Sequence, residues 1–95
     1  MFDKMKELLD IKKKAEELKR KLEAVTFEIS SIDGLVKITM NGSQEVQDLR
    51  IQGDLEKDSL EKALKDVYNR AIKRSHELAA QKMKEITGFN LPGLT

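Results

Sequence analysis

The stretch Asp33 to Gln52, DGLVKITMNGSQEVQDLRIQ, decides how this 95-residue chain folds. Asp33-Gly34 and Asn41-Gly42 are dipeptides of the kind that close β-hairpins, because they tolerate the left-handed backbone that tight hairpin turns require. Around them apolar and polar residues alternate, the period of a strand with one covered face. A two-residue loop at Asp33-Gly34 pairs Ile32 with Leu35, Ser31 with Val36, Ile29 with Ile38 and Phe27 with Met40. In that register Phe27, Ile29, Val36, Ile38 and Met40 share one face, and Glu28, Ser30, Lys37 and Thr39 share the other. A slip of one residue would turn the whole apolar set outward, so the pattern specifies its own pairing. In the third run Leu49 and Ile51 agree in phase and Val46 does not. Either Val46 belongs to the turn, or a bulge lies near Gln47-Asp48, the preferred reading. The expectation is a three-stranded antiparallel meander with strands near 25–32, 35–41 and 46–52.

Helical patterns flank this sheet. Met1, Leu8, Ala15 and Leu22 recur every seven residues, as do Lys4, Ile11, Leu18 and Val25, with Met5 and Leu9 widening the first half. Interleaved, they make an a/d stripe with one polar member, predicting a helix over about 3–24. Glu16–Arg20 and Glu17–Lys21 have the i,i+4 spacing of surface ion pairs. After Gly53 a second helix is expected over about 56–87, capped by Asp54 or by Asp58 with Glu61 as a capping box, and stopped by Gly88. Leu60, Ala63, Leu64, Val67, Tyr68, Ala71, Ile72, Leu78, Ala79, Met83 and Ile86 form its apolar side. Residues 88–95, with Pro92, are expected to form a loosely ordered tail. The chain thus reads as one α+β domain over residues 1–95, in the order α-β-β-β-α.

Lengths raise a further expectation. At about 1.5 Å per residue the helices are roughly 33 and 45 Å long, whereas three strands make a sheet some 10–15 Å wide. The apolar stripes outrun the sheet, so a second copy is expected to cover them through Leu8, Ile11, Ala15, Leu18 and Leu22, giving a homodimer.

Composition narrows the chemistry. There is no cysteine, hence no disulfide, thiolate zinc site or cysteine nucleophile. The single histidine, His76, has Ile72 and Ala80 at i±4 and so lacks a partner for metal binding on its helix. Five glycines never form a phosphate-cradling loop, and the carboxylates are scattered over helix surfaces. Neither an enzyme nor a cofactor is expected. No apolar run approaches a membrane span or the core of a signal peptide, so the expectation is a soluble protein of the cytoplasm. Four aromatics, two of them on core faces, do not make a stacking platform for single-stranded bases. Asn69, mid-helix, is a poor helix former whose side chain is expected to bond across an interface or to a turn.

Charged residues make up 37% of the chain, yet the net charge is only +1. Residues 3–24 hold eight basic and six acidic side chains, as do residues 56–87, while residues 25–55 hold two and five. Both helices are therefore mildly basic around an acidic sheet. Lys62, Lys65, Arg70, Lys73 and Lys84 gather on the side of the second helix away from its apolar stripe, interrupted by Asp66 and Glu77. The first helix carries Lys12-Lys13-Lys14 and Lys19-Arg20-Lys21. Taken alone such runs are solvated helix faces.

Gly34-Leu35-Val36-Lys37-Ile38-Thr39, Asn41-Gly42, Val46, Leu49 and Ile51 resemble the centre of the YbaB/EbfC family of bacterial nucleoid-associated proteins. The likeness continues through Asp54-Leu55, Leu60, Leu64, Asn69 and Ala71 to Leu91-Pro92-Gly93, so it spans nearly the whole chain. Ile32 and Gln52 depart from it, standing where relatives commonly have a glycine and an acidic residue, and the first helix is richer in Lys and Glu. The resemblance implies an α-β-β-β-α protomer, a homodimer with projecting helical arms, sequence-tolerant binding of duplex DNA, residence in the nucleoid, and a gene often beside that of a recombination mediator protein. With it, the basic faces read as phosphate contacts: Lys62, Lys65, Arg70 and Lys73, helped by Lys12, Lys13, Lys14, Lys19, Arg20 and Lys21. The competing expectation is an adaptor for a recombination or replication protein, with DNA contact incidental.

Overall fold

In the computed structural model, which describes residues 2–88, helix α1 (Phe2–Ala24) leads into strands β1 (Thr26–Ser30), β2 (Val36–Asn41) and β3 (Val46–Ile51), and helix α2 (Lys57–Thr87) follows. The strands form one antiparallel sheet in the order β1-β2-β3. The expected α+β order is present. Met1 and the expected tail from residue 89 onward lie outside the described residues.

The register is the one that alternation dictates, with Ile29 opposite Ile38 and Phe27 opposite Met40. The loop differs. Asp33 lacks the positive φ that a two-residue type I′ turn needs at both central positions, and only Gly34 has it, at 75°. The hairpin closes at Ser31 and Val36, whose N–H and carbonyl meet at 2.8 Å, leaving residues 32–35 as a four-residue loop. Ser31 holds it together. Its carbonyl accepts from Gly34 N–H at 2.9 Å and its hydroxyl accepts from Val36 N–H at 3.1 Å. Ile32 and Leu35 therefore do not pair, and Ile32 stands fully exposed at the tip. Two residues moved into the loop preserve parity, so no side chain changes face.

The second hairpin also departs from a two-residue turn. Asn41 is its hub: its side-chain carbonyl accepts from Ser43 and Glu45 N–H at 3.0 Å each, and its amide donates to Glu45 Oε1 at 2.8 Å. The left-handed position falls on Gln44, φ 65°, rather than on Gly42. Gly42 serves another purpose. Its N–H donates to Leu22 O at 2.9 Å and Val25 O at 3.0 Å, satisfying carbonyls that the end of α1 would otherwise leave without partners. A Cβ there would stand 2.9 Å from both Leu22 Cδ2 and Leu22 O, so only glycine lets the hairpin touch the helix.

The bulge lies in β3. Thr39 faces Asp48 and Met40 faces Val46, so Gln47 is the extra residue. It restores Val46 to the face of Leu49 and Ile51, which are the partners of Ile38 and Val36. The core forms on that face: Val36, Ile38 and Met40 are buried against Val67 and Ala71 of α2, with Phe27, Ile29, Leu60, Ala63 and Leu64 around them. Neither proposed aspartate caps α2. Its N-cap is Glu56, whose side chain makes no capping bond, and Asp58 contributes only negative charge in the first turn, where the helix dipole favours it. At the other end Gly88 takes the left-handed conformation and donates to Lys84 O at 2.7 Å, as expected of a glycine stop.

Helix α2 lies across β1 and β2, and α1 packs beside the C-terminal part of α2. The molecule is 63 Å long and only 24 by 17 Å across. Leu18 and Leu22 are half-buried within the chain, whereas Leu8 and Ile11, on the same stripe, are 66% and 64% exposed. Between the helices Ile11, Ala15 and Leu18 face Met83 and Ile86 across an apolar groove of about 230 Å³.

Candidate nucleic-acid interface

The lysines on α2 owe their position to its burial pattern. Val67, Ala71 and Leu78 point into the protein, which turns Lys62, Lys65 and Lys73 out into solvent. Lys62 sits beside the β1–β2 tip, across a shallow notch lined by Ser31, Ile32, Asp33, Ala63 and Asp66. Among the described residues none of these three lysines makes a salt bridge. Their charge is therefore not offset by a neighbour in contact.

Three other cations of the same helix are committed, whereas Lys57 and Lys84 make no salt bridge among the described residues. Arg70 Nη2 contacts Asp66 Oδ2 at 2.8 Å and also donates to the backbone carbonyl of Ser30 at 2.7 Å, while its Nε donates to Asp66 at 3.0 Å. It braces the end of β1 against α2. Nothing in the sequence signals this, because the partner is a backbone carbonyl forty positions away. Arg74 pairs with Glu77 at 3.2 Å and Lys82 with Glu85 at 3.4 Å.

On α1, Lys12, Lys13, Lys19 and Arg20 are exposed and unbridged among the described residues. Lys14 pairs with Asp10 at 3.5 Å and the expected Glu17–Lys21 pair forms at 3.7 Å, whereas Glu16 and Arg20 form no bridge. Such exposed i,i+4 pairs contribute only about 0.3–0.5 kcal/mol each. The two basic sets do not merge into one patch. Lys14 lies level with Met83 and Thr87, about 27 Å along α2 from Lys65 at the helical rise. Lys12–Lys14 ride on the far end of the helix pair, whereas Lys19–Lys21 lie within a turn of Leu22, where α1 meets the β2–β3 loop.

Two acidic side chains near the notch are occupied. Asp33 Oδ1 accepts from Ser31 Oγ at 2.6 Å and from Leu35 N–H at 3.0 Å, and these bonds hold its carboxyl below the usual carboxylate range. Asp66 is neutralised by Arg70. On the open face of the sheet, Asp48 at 2.9 Å from Nε raises the pKa of Arg50 above its ordinary value. His76 is exposed, and among the described residues no group of three His, Asp or Glu side chains is arranged to hold a metal ion. Among those residues no helix is long and apolar enough to cross a membrane.

This architecture and sequence have relatives. A nucleoid-associated protein of Gloeothece citriformis is 40% identical over 88 residues, covering 84% of this chain and 74% of that protein. One from Caldanaerobacter subterraneus is 38% identical over 91 residues, covering 90% and 78%. A crystal structure of an uncharacterized Helicobacter pylori protein superposes with a TM-score of 0.73 at 28% identity, covering 82% of this chain and 87% of that one. Its likeness extends the shared α-β-β-β-α frame to an experimental structure. The profile of the YbaB/EbfC DNA-binding family, a family described by binding and not by a reaction, matches residues 1–90, and the chain belongs to that family.

Proposed function

We propose that this chain is a nucleoid-associated protein of the cytoplasm that binds duplex DNA as a homodimer, through basic helix faces and with little sequence specificity. The observation that carries the reading is the set of exposed lysines, Lys62, Lys65 and Lys73, left without ion partners on the outward face of a helix where Arg70, Arg74 and Lys82 are paired. Lysine is a point charge on a flexible stem, suited to phosphate oxygens and carrying no base information. Arg70 joins them through Nη1, which makes none of its contacts to Asp66 or Ser30, and Lys12, Lys13, Lys14, Lys19, Arg20 and Lys21 extend the contact along α1. The second copy covers the α1 stripe of Leu8, Ile11, Ala15, Leu18 and Leu22. Exposed Val46, Leu49 and Ile51 on β3 offer it further apolar surface. A dimer presents every basic patch twice, which offsets the small net charge.

Each neutralised phosphate adds roughly 0.9 to the slope of log affinity against log salt. A dimer using on the order of four to six phosphates loses affinity steeply between low and physiological salt. Changing Lys62, Lys65 and Lys73 together to Glu weakens binding about equally on unrelated duplexes and flattens that slope. A triple variant that binds like wild type removes the site assignment.

One observation favours a second reading, an adaptor for a recombination or replication protein. Ile32 is a fully exposed apolar knob at the hairpin tip, beside the notch that includes Ala63. Failure of the wild type to shift any duplex at low salt, with Ile32→Asp abolishing capture of a recombination mediator protein, selects that reading.

A further inference from the structure

Asn69 is the thirteenth residue of the 31-residue α2, far from either cap. Asparagine is a weak helix former because its side chain competes with the backbone for hydrogen bonds. Here it is exposed and has no hydrogen-bond partner among the described residues, so the bond to a turn that would explain it is absent. The protomer gains neither burial nor a bond from it. Lys65 lies four residues before it, Lys73 four after and Lys62 seven before, all turned outward, and the acidic neighbour three residues before, Asp66, is paired with Arg70.

We propose that Asn69 is a base-reading residue of the DNA face, bonding through its side-chain amide to the adenine edge in the major groove; this rests on the DNA reading above. An amide presents one donor and one acceptor side by side, which matches the N6 amine and N7 of adenine as a bidentate pair. Lysines on either side along the helix supply the phosphate contacts that fix its position, and a base contact between them adds what phosphates cannot. Dimensions agree. Lys62 to Lys73 spans about 16 Å of helix, close to five base-pair steps, and an α-helix about 10–12 Å across fits a major groove about 12 Å wide. The competing occupant is a second copy. A two-fold contact centred on Asn69 would set the lysine stripes of both copies against each other, a like-charge arrangement that opposes association.

The test selects duplexes from a randomised pool with wild type and with Asn69→Ala, at matched salt, and follows both proteins by sedimentation and thermal melting. Wild type is expected to enrich adenine about tenfold at one position of each half-site, the discrimination of one bidentate contact per copy. Asn69→Ala loses that enrichment, keeps its affinity for random duplex and its salt slope, sediments unchanged and melts slightly higher, since alanine is the better helix former. Wild type that binds without enriching adenine, or Asn69→Ala that retains the enrichment, overturns the assignment while leaving the DNA reading in place. A changed sedimentation coefficient in the variant assigns Asn69 to an interface between copies and likewise overturns it. Wild type that captures no duplex at low salt defeats the DNA reading itself, and this assignment with it.

Discussion

Ile38 and Leu49 are direct cross-strand partners on the same face of one sheet, yet Ile38 is 4% exposed and Leu49 is 47% exposed. The residues are nearly the same size and hydrophobicity. What separates them is the width of a helix. Strands lie about 4.8 Å apart and a helix with its side chains is about 10 Å across, so α2 roofs two strands and leaves the third open. Along α1 the same contrast appears lengthwise. Leu22 is half-buried beside Gly42, while Leu8, two heptads earlier on the same stripe, is exposed. Hydrophobicity sets which face looks inward, and coverage depends on what is available to lie over it.

Core truncation probes this contrast most strongly. Ile38→Ala is expected to cost about 3 kcal/mol, the range for deleting a buried branched side chain. Leu49→Ala in the isolated protomer should cost well under half of that, because much of the side chain is already wet. Chemical denaturation at several protein concentrations reads both. Equal costs, with the Leu49 cost growing as concentration rises, would mean that a second copy covers β3 in solution.

Gly42→Ala comes next. Its Cβ would meet the Leu22 carbonyl and side chain at 2.9 Å, so the α1 end or the hairpin must move, at about 1–3 kcal/mol. Hydrogen exchange should report the loss as faster amide exchange in the last turn of α1. Unchanged stability there would mean that the contact between hairpin and helix is loose.

Association should respond to the outer half of α1 without harm to the protomer. Leu8→Asp with Ile11→Asp adds charge at exposed positions, so folding is retained while sedimentation shifts toward monomer. Leu18→Asp with Leu22→Asp, nearer the covered end, should also lower the melting temperature. Identical behaviour of the two pairs would erase the lengthwise contrast.

Acidity gives the smallest effect. The Asp33 carboxyl is held below its ordinary pKa first by the Ser31 hydroxyl and then by Leu35 N–H. A depressed carboxylate contributes stability above its unfolded pKa, near about 4, and loses it as pH falls through the lower folded value. Asp33→Asn should therefore lower stability slightly at neutral pH, change little well below about pH 4 where the carboxyl is protonated, and so flatten the acid limb of the stability profile. An unaltered acid limb would mean that the loop is not closed by this carboxylate in solution.

Much of this architecture was legible in the chain. Phe27, Ile29, Val36, Ile38 and Met40 set the register, since only one pairing puts all five together, and that pairing survived a longer loop because two added residues keep parity. The out-of-phase Val46 pointed to a bulge, and the bulge is Gln47. Lys62, Lys65 and Lys73 were legible as an outward face for the same reason that Val67 and Ala71 were legible as an inward one: a fixed helical period links them.

Other features depend on contacts between distant residues, which local periodicity does not encode. The sequence offers no stop signal at the end of α1, and its carbonyl partner is the Gly42 amide of the β2–β3 loop, brought there only once the sheet has formed. Asn41-Gly42 read as a turn that needs a left-handed glycine; instead Gln44 carries the positive φ and Gly42 the close approach. Arg70 read as a phosphate contact, and folding set the Ser30 carbonyl, forty positions away, against its guanidinium. Alternation and helical period, properties of neighbours along the chain, determined the elements, their faces and the register. Tertiary structure decided which equally apolar residues are covered, which backbone carbonyl Arg70 reaches and what completes the end of α1, because each of these is settled by what packs alongside.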